Sequence, residues 1–259
     1  MNRTFAIKSY FRYLIKAGHR KGFGIHSPFV FSLLNSVFYE KSQYYCYERI
    51  EGLRDELKSA KEKIRITDRG TGNYKERTIA DIVGRSAKRS KYAQLLFRLA
   101  NSNRSKTILE LGTCVGLTTL YLSQVNRQGK VITLDADEAV CNVARENFRQ
   151  FYADNIELHC GEIDEILPAV LKMYPTLDFV FFDANHTKAA TLSYFDLCLP
   201  KAHKETIFVF DDIYRSAEMY DAWMQISRNP KIRLSIDVFE MGIAFFNTDL
   251  LKQEYLVAF

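Results

Sequence analysis

Apolar positions fall into two rhythms along the chain. Up to about residue 105 they recur every three or four residues, the period of an α-helix with one apolar face. Ile7, Tyr10, Phe11, Leu14 and Ile15 share such a face, and the helix should stop near Gly18. Ser27 reads as a cap with Pro28 in the first turn, and Phe29 to Phe38 continue that helix. A third helix is expected over Tyr47 to Ile64, with Ile50, Leu53, Leu57 and Ile64 inward. DRGTGN, Asp68 to Asn73, interrupts the pattern. Helices follow around Thr78 to Lys88 and Ser90 to Asn101, the second with Tyr92, Leu95, Leu96 and Leu99 on one face. The first hundred residues read as all-helical.

After Lys106 short apolar runs alternate with helical patterns. Strands are expected at Thr107–Leu111, Lys130–Asp135, Ile156–His159, Asp178–Asp183 and Thr206–Asp211. Helices lie between them at Gly116–Gln124, Glu138–Gln150, Ile163–Met173 and Lys188–Leu197, with another over Ser216–Ser227. FVFFD and IFVFD are apolar on both faces, as strands of a parallel sheet covered by helices must be. IRLSIDVF and MGIAFFN lie too close in sequence for a crossover helix, so they should pair antiparallel at one edge. The expected architecture is α/β, about seven strands, mostly parallel, with a helical extension over residues 1–89 and the main domain over 90–259.

Composition narrows the class. The 259 residues are 47% hydrophobic and 14% aromatic, enough for a substantial core. No run of 18 apolar residues suggests a membrane span, and charges recur through MNRTFAIKSYFRYLIK where a secretory leader would be apolar. Five cysteines, an odd count without CxxC spacing, read as thiols of a reducing compartment, which makes cytoplasm the expected location. Charge is uneven: residues 1–39 carry six Lys or Arg and no acid, against +5 for the whole chain. That basic segment suits an anionic substrate, a nucleic acid, a membrane surface or simply solvent.

The chemistry concentrates in ILELGTCVGLTTLYLS. Open α/β sheets bind ligands beyond the carboxyl ends of their strands. Gly112 permits a close approach or a positive φ, and Gly116 permits a tight entry to the next helix. The spacing is GxxxG, not GxGxxG, and no GKS or GKT follows, so a pyrophosphate cradle is poorly supported and a P-loop is excluded. Asp135 ends the next strand, where an acid can accept bonds from both ribose hydroxyls. The turn and this acid together point to a ribose-containing cofactor with little phosphate demand. Asp183, Asp211 and Asp212 end the fourth and fifth of these strands. Carboxylates gathered there would need a cation, protons or separation, and oxygen ligands favour magnesium or calcium.

The ordered set ELGTxxG, TLDAD, HCGE, FFDANH and FDD over residues 90–247 resembles class I S-adenosylmethionine-dependent methyltransferases, nearest the catechol and caffeoyl-CoA type of small-molecule O-methyltransferase. The resemblance implies a Rossmann-like methyltransferase fold and methyl transfer to a hydroxyl of a small acceptor. It implies that Glu110, Gly112 and Thr113, with Gly116 completing the turn, border the methionine part of the cofactor. Asp135 would hold the ribose, Gly161 and Glu162 would stand near the adenine, and Ser90 and Tyr92 would close over it. It also implies a divalent cation such as Mg2+ on Asp183, Asp211 and Asp212, although this chain has Asp-Asp where the family has Asp-Asn. His186 stands where the family often places a lysine base, with Lys188 as a second candidate, and this departure makes catechol chemistry doubtful.

GIHSPFVF together with FDD resembles a bacterial branch of these enzymes, a likeness that names no substrate. The extension could lid the pocket, select the acceptor or form a homodimer contact, and His19, Arg20, Lys21 and His26 could hold an anionic acceptor. DRGTGN fits a fold over the site or a plain turn. Other classes remain: a nucleotide-sugar or NAD-linked enzyme on a similar sheet, or a non-catalytic nucleotide-binding protein. Nucleic acid is disfavoured as a substrate, because neither an Asn-Pro-Pro-Tyr-like stretch nor a Pro-Cys pair is present.

Overall fold

The computed structural model describes residues 3–19, 22–67 and 74–259. The chain packs as two compact units, residues 42–170 and residues 1–41 with 171–259.

The 42–170 unit opens with α3 (Tyr45–Ser59), which follows α1 (Arg3–Lys16) and α2 (Pro28–Leu33) of the other unit. Ile50, Leu53 and Leu57 are buried as the pattern requires. The helix nevertheless stops five residues short of Ile64. Residues Lys63–Thr67 (β1) and Tyr74–Thr78 (β2) form an antiparallel hairpin where only helix was expected. Thr78 then caps α4 (Ile79–Ser86) by accepting from the Asp81 N–H at 3.1 Å. After α5 (Ser90–Ser102) come β3 (Thr107–Leu111), α6 (Leu117–Ser123), β4 (Lys130–Asp135), α7 (Glu138–Gln150), β5 (Ile156–Cys160) and α8 (Ile163–Met173). β4 lies between β3 and β5, parallel to both, so Leu111 faces Leu134 and Asp135 faces Cys160 in register. Apolar residues of α3 to α7, among them Ile50, Ile82, Phe97, Tyr121 and Phe148, make one core.

The other unit holds α1 and α2, with a π-helical turn over Leu34–Phe38 extending α2. Its later part contains β6 (Leu177–Phe182), α9 (Lys188–Cys198), β7 (Ala202–Asp211), α10 (Ala217–Ser227), β8 (Leu234–Asp237), β9 (Met241–Phe245) and β10 (Gln253–Leu256). The strand order is β10-β8-β9-β7-β6. β6 is parallel to β7, β9 runs antiparallel to both β7 and β8, and β10 is parallel to β8. The antiparallel pairing of β8 with β9 matches the expectation, while β10 adds an eighth strand to the seven foreseen. Phe179, Val180, Phe181, Phe208 and Val209 are fully buried, which explains their continuous apolar run. Trp223 of α10 lies so close to Gly242 that an added Cβ would stand 2.6 Å from the indole.

The end of the chain returns to its beginning within this unit. Gly18 bridges Val257, the Tyr13 hydroxyl donates to the Val257 carbonyl at 2.7 Å, and the Tyr39 hydroxyl donates to that of Ala258 at 2.5 Å. α1 buries Tyr13 and half-buries Phe5, Ala6 and Ser9. Of the face singled out by the sequence, Ile7, Phe11, Leu14 and Ile15 point outward, while Tyr10 packs edge-on against Phe239 at 5.1 Å.

Candidate functional site

The glycine turn after β3 is built from three positive φ angles, +103° at Gly112, +50° at Cys114 and +82° at Gly116. Gly116 caps α6, and a Cβ there would lie 2.4 Å from the Phe148 ring, so the position requires glycine on both counts. The turn's N–H groups are largely committed to the protein. Those of Gly112 and Thr113 donate to the Leu134 carbonyl, and that of Cys114 donates to Asp135 Oδ2 at 2.8 Å. No open nest of amides is left at these residues for a pyrophosphate, in line with the missing GxGxxG pattern.

Asp135 ends β4 half-buried. Its Oδ1 accepts from the Asp137 N–H at 3.1 Å, so two backbone amides fix the carboxylate at the strand end. Asp137 caps α7 through the Ala139 and Val140 N–H groups, and its other oxygen accepts from the Thr67 N–H at 2.7 Å. The hairpin is thus tied beside Asp135.

Beneath the turn Glu110 is fully buried. Its Oε2 accepts from the Thr119 and Thr133 hydroxyls, at 2.5 and 2.7 Å, while Oε1 has no hydrogen-bond partner among the described residues. Burial pushes its carboxyl up to about 7, against the opposing pull of the two hydroxyls. Thr113 is buried with its hydroxyl 2.6 Å from that of Thr133. Glu110 and Thr113 therefore shape the turn from below. Gly161 donates to the Asp135 carbonyl at 2.9 Å, and exposed Glu162 begins α8 through its carbonyl. Ser90 donates to Glu51, which also pairs with Arg54 at 2.9 Å and accepts from Tyr121 at 2.8 Å. Tyr92 is buried on α5. Glu51 carried no signal in the sequence, because Ser90 and Tyr121, its partners beyond α3, lie on α5 and α6.

The acidic residues belong to the other unit. Asp183 follows β6, Asp211 is buried at the end of β7, and Asp212 takes a φ of +53° with its N–H donating to the Glu240 carbonyl. His186 stands between two of them, its Nε2 3.6 Å from Asp183 Oδ1 and its Nδ1 3.9 Å from Asp212 Oδ2. Arg215 pairs with the same Asp212 oxygen at 2.9 Å. Sequence reasoning missed Arg215, since a single arginine in a loop carries no pattern. Among the described residues, no group of three or more His, Cys, Asp and Glu side chains is placed to hold a metal ion. An ion between Asp183 and Asp212 would have to displace the imidazole and compete with the guanidinium, so those two carboxylates as arranged do not fit a divalent cation.

Thr187, not His186, caps α9. Lys188 is engaged by Asp221, whose carboxyl it holds below the usual range. In the extension, His19 Nδ1 lies 3.0 Å from the Phe23 carbonyl, which anchors its own loop, and His26 is exposed. Arg20, Lys21 and Asp68–Asn73 lie outside the described residues.

Comparison with known proteins agrees with this layout. Residues 109–213 match a family described as a methyltransferase domain. A catechol O-methyltransferase of Niastella koreensis is 30% identical over 139 residues, 52% of this chain and 61% of that protein. One from Mycobacterium tuberculosis is 29% identical over 133 residues, 51% of this chain and 59% of that protein. The chain thus spans about three fifths of the length of these curated relatives. Among solved structures, an O-methyltransferase from Bacillus cereus in complex with SAH has a TM-score of 0.57 at 18% identity, covering 79% of this chain and 92% of that one. The O-methyltransferase TomG from Streptomyces achromogenes in complex with SAM has a TM-score of 0.58 at 16% identity, covering 84% and 94%. The fold is the Rossmann-like one that these proteins share.

Proposed function

We propose, from the premise that residues 109–213 are a methyltransferase domain on the class I fold, that this chain transfers a methyl group from S-adenosylmethionine to a hydroxyl of a small molecule. The observation that carries the reading is Asp135, a carboxylate fixed by two backbone amides beside a glycine turn whose own amides are largely committed. Such a site suits ribose hydroxyls better than phosphate. The unpartnered Glu110 oxygen beneath the turn also fits a cationic ligand above it.

Bound S-adenosylmethionine supplies a methyl carbon on a sulfonium sulfur, the C–S bond breaking as the acceptor O–C bond forms. Asp135 holds the ribose, while Gly112 and Gly116 let the backbone approach the cofactor. Gly161 and Glu162 flank the adenine, and Ser90 and Tyr92 stand on the helix before β3. His186 takes the proton that leaves the acceptor hydroxyl, and Asp183 and Asp212 orient its ring. Lys188 is a poorer base because its ammonium group is paired with Asp221. No step passes through a metal ion. The acceptor is a small molecule, and the five free thiols suit a cytoplasmic location.

A calorimetric titration with S-adenosylmethionine tests the reading. Saturable one-to-one binding is expected, unchanged by chelator or by added magnesium. Asp135→Ala should weaken it about 10- to 100-fold, the worth of hydrogen bonds to a charged group. Unchanged affinity in that variant would remove Asp135 from the cofactor site. Absence of binding by folded wild-type protein would overturn the reading as a whole.

A further inference from the structure

α1 presents to the outside the kind of face that helices normally bury. Ile7 is 56% exposed, Phe11 61%, Leu14 54% and Ile15 83%. At 100° per residue these four fall on one stripe, about 12 Å long from Ile7 to Ile15. The helix meets its own unit with a different side, through Phe5, Ser9 and Tyr13. Lys8 borders the stripe, and Arg12 and Lys16, spaced i+4 and i+8 from it, turn progressively toward the inner side, where they line a cavity with Asp237 and Glu254. All three are exposed and none is in an ion pair among the described residues. Residues 1–39 contain no acid at all.

We infer that α1 docks on an anionic lipid surface, lying in the plane of the headgroups with the Ile7–Ile15 stripe in the acyl boundary and the basic row against phosphate. Charge complementarity selects this occupant. An amphipathic helix with a basic flank has affinity for anionic membrane interfaces, through buried apolar area and Coulombic attraction together. A second α1 packed on the same stripe would bring like charges together, with no acid in residues 1–39 to answer them. The proposed methyl transfer neither requires nor supplies this surface.

Co-sedimentation of the full 259-residue chain tests the inference, with vesicles of phosphatidylcholine alone and of phosphatidylcholine mixed with phosphatidylglycerol. The protein should bind the mixed vesicles, bind the neutral ones far less, and release as salt is raised. Phe11→Glu and Ile15→Glu should abolish binding with the thermal midpoint unchanged, because both side chains lie on the outer face. Lys8→Gln, Arg12→Gln and Lys16→Gln should each weaken it roughly fivefold. Failure to bind mixed vesicles, or equal binding to both compositions, overturns the inference. So does a dimer in lipid-free buffer that Phe11→Glu dissociates, which would assign the stripe to a second copy.

Discussion

Glu110 makes the clearest prediction at the scale of a single residue. Its folded-state pKa, raised by burial to about 7, lies above the ordinary 4.5. Below about pH 4.5 the carboxyl is neutral whether the chain is folded or not. Between those values the unfolded chain ionises while the folded one stays neutral, so stability falls as pH rises and levels off above about 7. The full effect is on the order of 3 kcal/mol. Urea unfolding of cofactor-free protein at pH 5 and pH 8 should show a smaller loss for Glu110→Gln than for wild type. Half-buried Asp237, pushed up to about 6 by desolvation, titrates in the same sense in both proteins and cancels from the comparison. Equal losses would mean that Glu110 ionises freely in the folded state. Asp135 was legible because a strand pattern ends on it. Arg215 was not, and neither was the engagement of Lys188, whose partner Asp221 lies 33 residues away on α10.

Elements were legible where they were long or periodic. β3, β4, α7 and α8 begin and end where the sequence put them. The hairpin was not, because Ile64 continues the spacing of Leu53 and Leu57, and β1 offers only Ile64 and Ile66 as a period-two signal. β10, four residues long, gave still less to read. The junction of α6 and α7 shows how one glycine can govern an element. Gly116→Ala must push aside the Phe148 ring and keep a φ of +82°, so it should cost about 1–3 kcal/mol. The urea midpoint should fall accordingly, and Phe148→Leu in the same chain should return part of the loss. A midpoint equal to wild type would mean that α6 does not start against Phe148.

For the molecule as a whole, the α/β alternation and the methyltransferase fold were visible from residue 107 onward. Which face of α1 would be inward was not. Its apolar stripe obeys helical periodicity, yet the protein buries Tyr13 and leaves the stripe outside. What seats α1 is the strand end it meets. Tyr13→Phe removes two hydrogen bonds, one donated to the Val257 carbonyl and one accepted from the Phe259 N–H at 3.0 Å, together worth about 2 kcal/mol. Trypsin should then cut at Lys8, Arg12 and Lys16 faster, with sites in residues 42–170 unaffected. Cleavage at the wild-type rate would show that the hydroxyl does not hold the helix.

That same bond sets an order of events during synthesis. The carbonyl that receives the Tyr13 hydroxyl is translated 244 residues after it, and the one for Tyr39 follows it by 219. Residues 3–41 leave the ribosome long before their partners exist, with basic and aromatic side chains in water. Residues 42–170 can close their own core first. In this interval α1 lacks the strand end that seats it, and a truncation that removes Val257 and Ala258 would leave neither bond in place.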